Sequence, residues 1–271
     1  MKRSYFASPY VIWMIVFTIM PLLFVVYYAF TNSGGAFSLA SWQSYFTEGN
    51  MRTLWASIKL AIECTAICLV VGYPAAMFLA SKDLSKNKAL FVLILLPMWM
   101  NFLLRTYAMR ELLRDGGVLS AVFGWLNMDM PQLLYTEGAV LLGMVYNYLP
   151  FMILPIYTCL KKMDQRVIEA AEDLGANPLQ VFARVRVPLS IPGVMSGITM
   201  VFMPAVTTFA LSKILGGGMT PMVGDQIELQ FITFGNWQMG STISLILLVL
   251  IIASLALLRK VDPDNEGGGM W

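Results

Sequence analysis

The chain has 271 residues, 58% of them hydrophobic and only 13% charged, with a net charge of +2. Soluble domains carry about 25% charged residues, so this balance points to a polytopic membrane protein, and the near-zero charge leaves no nucleic-acid footprint. Histidine is absent, which removes the commonest metal ligand and the commonest acid–base catalyst.

A helix needs roughly 20 mostly apolar residues to cross a bilayer. Six segments qualify in chain order: 9–31, 53–80, 89–109, 138–160, 191–215 and 239–258. The first follows Lys2-Arg3 as a signal peptide would, but its apolar run is too long for one and is expected to stay as a span. An all-α fold follows, because an open strand would leave backbone groups unpaired in lipid. Lys2, Arg3, Lys82, Lys86, Lys88, Lys161, Lys162, Arg166, Arg184, Arg186, Arg259 and Lys260 all fall on one side of this arrangement. The opposite loops hold only Arg52, Arg110 and Arg114, beside acids such as Glu48, Glu137, Asp225 and Glu228. The positive-inside rule then places both termini and the 161–190 loop in the cytoplasm. Residues 1–260 are expected to form a single membrane domain, and the polar, glycine-rich 261–271 a flexible tail. Pro21, Pro74, Pro97, Pro150, Pro155, Pro192 and Pro204 lie in or at the edges of the spans, where each can kink a helix.

The 161–190 loop has helix grammar in both halves. Asp164 is placed to cap a first helix with Val167, Ala170, Ala171 and Leu174 as its apolar face, at the spacing of a helical stripe. Gly175 stands where a helix end calls for a left-handed residue. Asn177-Pro178 starts a second short helix, with Val181, Phe182 and Val185 as its stripe. Such a hairpin either lies on the lipid surface, with Arg184 and Arg186 toward headgroups, or receives a cytoplasmic partner.

Glu169-Ala170-Ala171, Gly175 and Val185-Arg186-Val187-Pro188 resemble the EAA loop of ABC importer permeases. The stretches NYLPFMILPIYTCLKKMD (147–164), RTYA (105–108), GGVLS (116–120) and PAV…LGG (204–217) are similar to the polyamine branch of that family, the permeases of spermidine/putrescine importers. The resemblance implies a type I importer permease fold in the bacterial cytoplasmic membrane. It also implies that Glu169, Ala170, Ala171, Asp173, Leu174 and Gly175 couple the chain to a cytoplasmic ATPase. The partners it implies are a second permease subunit (PotC-like), a dimer of ATPase subunits (PotA-like) and an external substrate-binding protein (PotD-like). No GxxxxGK[ST] phosphate loop is present, and Gly216-Gly217-Gly218 is not followed by Lys-Ser or Lys-Thr. ATP and magnesium are therefore expected on the partner ATPase, with no cofactor in this chain.

Charges within spans are functional candidates by default. Glu63 is expected about 15 Å deep in the second span, either pairing with Lys59 one turn earlier or lining a cation path. Arg105 and Lys213, near the outer ends of the third and fifth spans, are expected to snorkel to the interface. Trp99, Tyr107, Tyr146, Asn147, Tyr148, Thr207, Thr208 and Phe209 offer aromatic and hydroxyl groups that suit alkylammonium ions by cation–π contact, and equally suit interhelical packing. Asp225 and Glu228 are further candidate acids in the outer loop. Cys64, Cys68 and Cys159 form no CxxC pair and are expected as small buried residues. Alternatives to a polyamine permease are an ABC permease for another small solute such as an amino acid, or an ion-coupled secondary transporter using Glu63. A membrane-embedded enzyme finds no nucleophile–base constellation.

Overall fold

The computed structural model describes residues 10–81, 92, 96–126, 128 and 131–261. Lys2, Arg3, Lys82, Lys86 and Lys88, used above for topology, and residues 262–271 of the expected flexible tail lie outside the described residues. Among those described the chain is nearly all helical, with one isolated bridge between Thr31 and Phe37. The elements are α1 (Tyr10–Ala29), α2 (Ala40–Tyr45), α3 (Glu48–Ala80), α4 (Phe102–Leu113), α5 (Val118–Trp125) and α6 (Glu137–Lys162). They continue with α7 (Gln165–Asp173), α8 (Pro178–Thr207), α9 (Ala210–Gly216), α10 (Val223–Glu228) and α11 (Trp237–Val261). Five of these, α1, α3, α6, α8 and α11, are long and apolar enough to span a bilayer.

The core is a triad of α3, α6 and α8, and α1 lies outside it against α11. Small residues let the triad close. A Cβ on Gly193 would come within 2.9 Å of the Pro155 carbonyl oxygen, and one on Gly197 within 3.2 Å of the Met152 carbonyl oxygen. Gly193 and Gly197 form a GxxxG pair, the spacing at which two backbones meet when no hydrophobic force separates helix from lipid. Gly72 of α3 meets Met152 from the other side. A hydrogen bond ties α3 to α8, the hydroxyls of Tyr73 and Ser190 being 2.8 Å apart, and another ties α3 to α10, the Val223 N–H donating to Ser57 Oγ at 2.8 Å.

α3 and α6 run parallel. Lys59 of α3 pairs with Glu137, the first residue of α6, at 2.8 Å. At the other end Met77 and Ala80 of α3 share a cavity with Leu160 and Met163, where α6 gives way to α7.

Two prolines follow widened turns. π-helical turns at Ile15–Ile19 and Phe182–Arg186 each end two residues before a proline, Pro21 and Pro188. The wider turn moves the carbonyl four residues back away from the ring.

Two expected spans differ. The segment 89–109 is not one helix: the chain bends at Met100, and the Asn101 side chain accepts the N–H groups of Leu103 and Leu104 to start α4. Residues 89–91 and 93–95 lie outside the described residues. The segment 191–215 is broken as well, because Thr208 is extended between α8 and α9. Here the Thr207 hydroxyl turns back onto the carbonyls of Met203 and Pro204, a local competitor to helix continuation.

Candidate functional site: a hairpin at one end of the spans and a charged mouth at the other

α6 gives way to α7 through Met163 and Asp164, and the Asp164 carboxylate accepts the Arg166 N–H at 3.0 Å. α7 ends at Leu174, and Gly175 takes φ +83°, the left-handed conformation a non-glycine residue resists. Its N–H donates to the Glu172 carbonyl, and that of Ala176 to the Ala171 carbonyl. Asn177 then caps α8. Its side chain accepts the Gln180 N–H at 2.8 Å, and the Gln180 side chain accepts the Asn177 N–H at 2.9 Å. This reciprocal box completes the expected asparagine–proline start.

One point of the hairpin differs from expectation. The second helix does not stop, but runs through the π-helical turn and Pro188 into the span to Thr207. The apolar stripe of α7 is turned away from the spans. Ile168 turns inward and is only 5% exposed, whereas Val167 and Ala170 are exposed and Leu174 is 89% exposed. Ile168 occupies the side toward α3 and α6, within a cavity of about 300 Å3 that also touches Ala80, Leu160, Glu169 and Arg186. Val181 is buried, and Phe182 packs edge-on against Tyr73 of α3 at 5.7 Å between ring centroids. Leu179, 73% exposed, extends the outward apolar face. The hairpin is therefore clamped to the spans on one side and bare on the other. Ala170, Asp173, Leu174 and Gly175 are exposed, Ala171 is half-buried, and Glu169, though exposed, lines the cavity on the clamped side.

At the far end, Glu63 lies 3.7 Å from Lys59, which also binds Glu137 at 2.8 Å. All three side chains are about half exposed in the single chain. The pair expected within α3 is thus one arm of a bridge to α6, and Glu137 is the partner sequence reasoning missed. α3 begins at Glu48, earlier than expected, and Lys59 pairs with the first residue of α6. Glu63 is one turn further along α3, about 6 Å by helical rise.

The aromatic and hydroxyl candidates divide. Trp99, Tyr107, Tyr146, Thr207 and Phe209 are exposed in the single chain. Asn147, Tyr148 and Thr208 are buried: Asn147 donates to the Gly143 carbonyl at 2.7 Å and Tyr148 to the Pro204 carbonyl at 3.3 Å. Arg105 does not snorkel. It is 7% exposed, donates to the Pro97 carbonyl at 2.7 Å and lies over the Tyr146 ring. At the bend before Asn101 the Pro97 carbonyl thus accepts both the Met100 N–H, at 3.3 Å, and the guanidinium. Lys213 is held by Glu228 at 2.7 Å instead of reaching outward alone. Asp225 is not a free acid either. It is buried, accepts the Met222 N–H at 2.7 Å and the Ser212 hydroxyl at 2.9 Å, and so caps α10. Burial pushes its carboxyl above the usual range, with those two donors opposing.

Comparison with known proteins agrees with this layout. Residues 71–266 match the family model of binding-protein-dependent transport system inner membrane components. The chain is 37% identical over 269 residues to the spermidine/putrescine transport system permease protein PotB of Haemophilus influenzae, covering 93% of this chain and 94% of that one. It is 34% identical over 268 residues to PotB of Escherichia coli, covering 93% and 98%. Among solved structures, a chain of a bacterial ABC transporter involved in import of the acidic polysaccharide alginate superposes with a TM-score of 0.76. That match is at 15% identity and covers 96% of this chain and 95% of that one.

Proposed function

Because the chain belongs to the family of binding-protein-dependent transport system inner membrane components, we propose that it forms half of the pathway of a polyamine importer and takes its driving force through the α7–α8 hairpin. The observation that carries the coupling is mechanical. The hairpin joins two spans, α6 through Met163 and Asp164 and α8 directly, and packs on the third, α3, through Phe182, while Ile168 faces the cavity it shares with α3. A push on its bare face thereby reaches all three core helices. Val167, Leu174 and Leu179 give that face the apolar character a protein groove would bury. ATP and magnesium belong to a PotA-like ATPase dimer. Closure of that dimer moves this hairpin and the hairpin of a PotC-like sister together, tilting the spans from inward-open to outward-open beneath a PotD-like binding protein.

A sixth crossing completes the arrangement. α3 and α6 run parallel, so the chain between Ala80 and Glu137 has to return across the bilayer, and 89–109 is its apolar segment. With the hairpin in the cytoplasm, that crossing puts both termini there as well.

Spermidine and putrescine are the cargo named by the relatives, and the mouth chemistry suits such cations. Glu63 and Glu137 flank the Lys59 ammonium at the far end of the spans. Charges there do not face hydrocarbon, so they face water or the sister subunit. The exposed rings of Trp99, Tyr146 and Phe209 and the Thr207 hydroxyl supply further contacts along the way.

The test is co-expression with the candidate partners. The proposal expects an ATP-binding chain to copurify, and ATP hydrolysis by the reconstituted complex to rise with polyamine-loaded binding protein. Uptake that follows an ion gradient, with no ATP-binding chain attached, contradicts it.

A further inference from the structure

At the end of the spans opposite the hairpin, a cavity of about 510 Å3 opens between α4, α9 and the segment leading into α6. Tyr107, Arg110, Gln132, Tyr135, Lys213 and Gly217 line it. Its cations differ in how they are spoken for. Lys213 is bound to Glu228, and the neighbouring Arg114 to Glu111. Arg110 has no carboxylate within ion-pair distance among the described residues, and its guanidinium donates instead to the Tyr135 hydroxyl at 3.3 Å.

The wall that holds Arg110 is built at a cost. Tyr135 has φ +64°, a left-handed conformation unusual for a bulky residue. Its N–H donates to the Leu215 carbonyl at 2.8 Å. Its ring covers Gly217, where any Cβ would run into the tyrosine ring. These restraints on backbone and ring set the hydroxyl beside the guanidinium.

A cationic cargo is a poor ligand for this cavity, since a guanidinium and an ammonium face it. We propose that the cavity is the docking socket for an acidic side chain of the external substrate-binding protein, with Arg110 as its charge partner. This rests on the importer assignment made above. The surroundings favour a protein carboxylate. The socket is open, the exposed Met219 stands at its rim, and Tyr107 and Tyr135 give it aromatic walls. Aromatic residues, methionine and arginine are the types enriched where proteins meet, and a charge at such a site steers and registers the partner.

The experiment titrates polyamine-loaded binding protein against ATP hydrolysis by the assembled transporter in nanodiscs, after copurification confirms that each variant assembles. Arg110→Glu is expected to raise the half-maximal concentration by at least about tenfold, and Arg110→Gln by less. The shift should be larger at low salt than at high salt. Arg52→Gln, an exposed arginine near the start of α3 and outside the cavity, should titrate as wild type. Reversing one acidic residue on the binding protein to lysine should restore pairing with Arg110→Glu while weakening pairing with wild type. An unchanged titration for Arg110→Glu overturns the proposal. So does a shift that no charge-reversed binding protein repairs, or one that disappears when anionic lipid is left out of the nanodisc. Failure of wild type to respond to any polyamine-loaded binding protein is a separate result, and it counts against the importer assignment instead.

Discussion

Replacing Gly175 by valine probes the turn on which the hairpin depends. Nothing stands within 4 Å of where a Cβ would be, so the cost is conformational and not a clash. A left-handed residue with a Cβ costs about 1–2 kcal/mol, and β-branched valine sits at or above the upper end. At about 2 kcal/mol the native turn loses roughly 30-fold in population against other geometries. The N–H bonds of Gly175 to Glu172 and of Ala176 to Ala171 go with it. Ile168 and Val181 still anchor the two helices, so the variant should insert and pair with its sister. Leu174 and Leu179 lose their relative placement, and ATP-driven uptake should fall at least about tenfold. The assay is labelled spermidine uptake beside copurification of the ATPase. Gly175→Asn is the companion, because asparagine tolerates the left-handed region and should keep most of the uptake. Normal uptake by the valine variant, or equal loss in both, refutes the turn-geometry argument.

Other outcomes follow from the same structure. Leu174→Asp alters an exposed side chain, so thermal stability should move by less than about 0.5 kcal/mol while the ATPase no longer copurifies. Gly197→Leu drives a side chain into the Met152 backbone, and detergent-solubilised protein should melt lower or fail to accumulate. The measurement is a fluorescence melt, and an unchanged Tm contradicts the close-approach account. Glu63→Gln and Glu137→Gln should each weaken uptake at limiting polyamine, by about tenfold for one lost charge-assisted contact. Lys59→Met, which removes the competing ammonium, should not weaken it, whereas equal damage from all three variants would mark the cluster as a structural bridge.

The parts legible from the residues are those written in local chemistry. The Asp164 cap, the left-handed Gly175 and the Asn177-Pro178 start depend on neighbours within four residues, and the structure has each of them. The unreadable parts depend on tertiary pairing. Helical spacing marked an apolar face of α7, but Ile168 is buried because α3 and α6 stand on its side. Arg105 looked like a snorkelling residue, but its guanidinium turns back onto the Pro97 carbonyl at the bend before Asn101. Glu137 was counted as a loop acid, and only the parallel packing of α3 and α6 brings it to Lys59. One missed signal was present in the sequence itself: Gly193 and Gly197 are spaced for close helix approach.

The most direct measurement of the central claim is labelled spermidine uptake by proteoliposomes holding this chain, its sister permease and the ATPase dimer, with the binding protein added outside. The account predicts uptake that requires both ATP in the lumen and loaded binding protein, and that is lost in Gly175→Val while the complex stays assembled. Uptake without ATP that tracks a proton or sodium gradient, or full uptake by Gly175→Val, contradicts it.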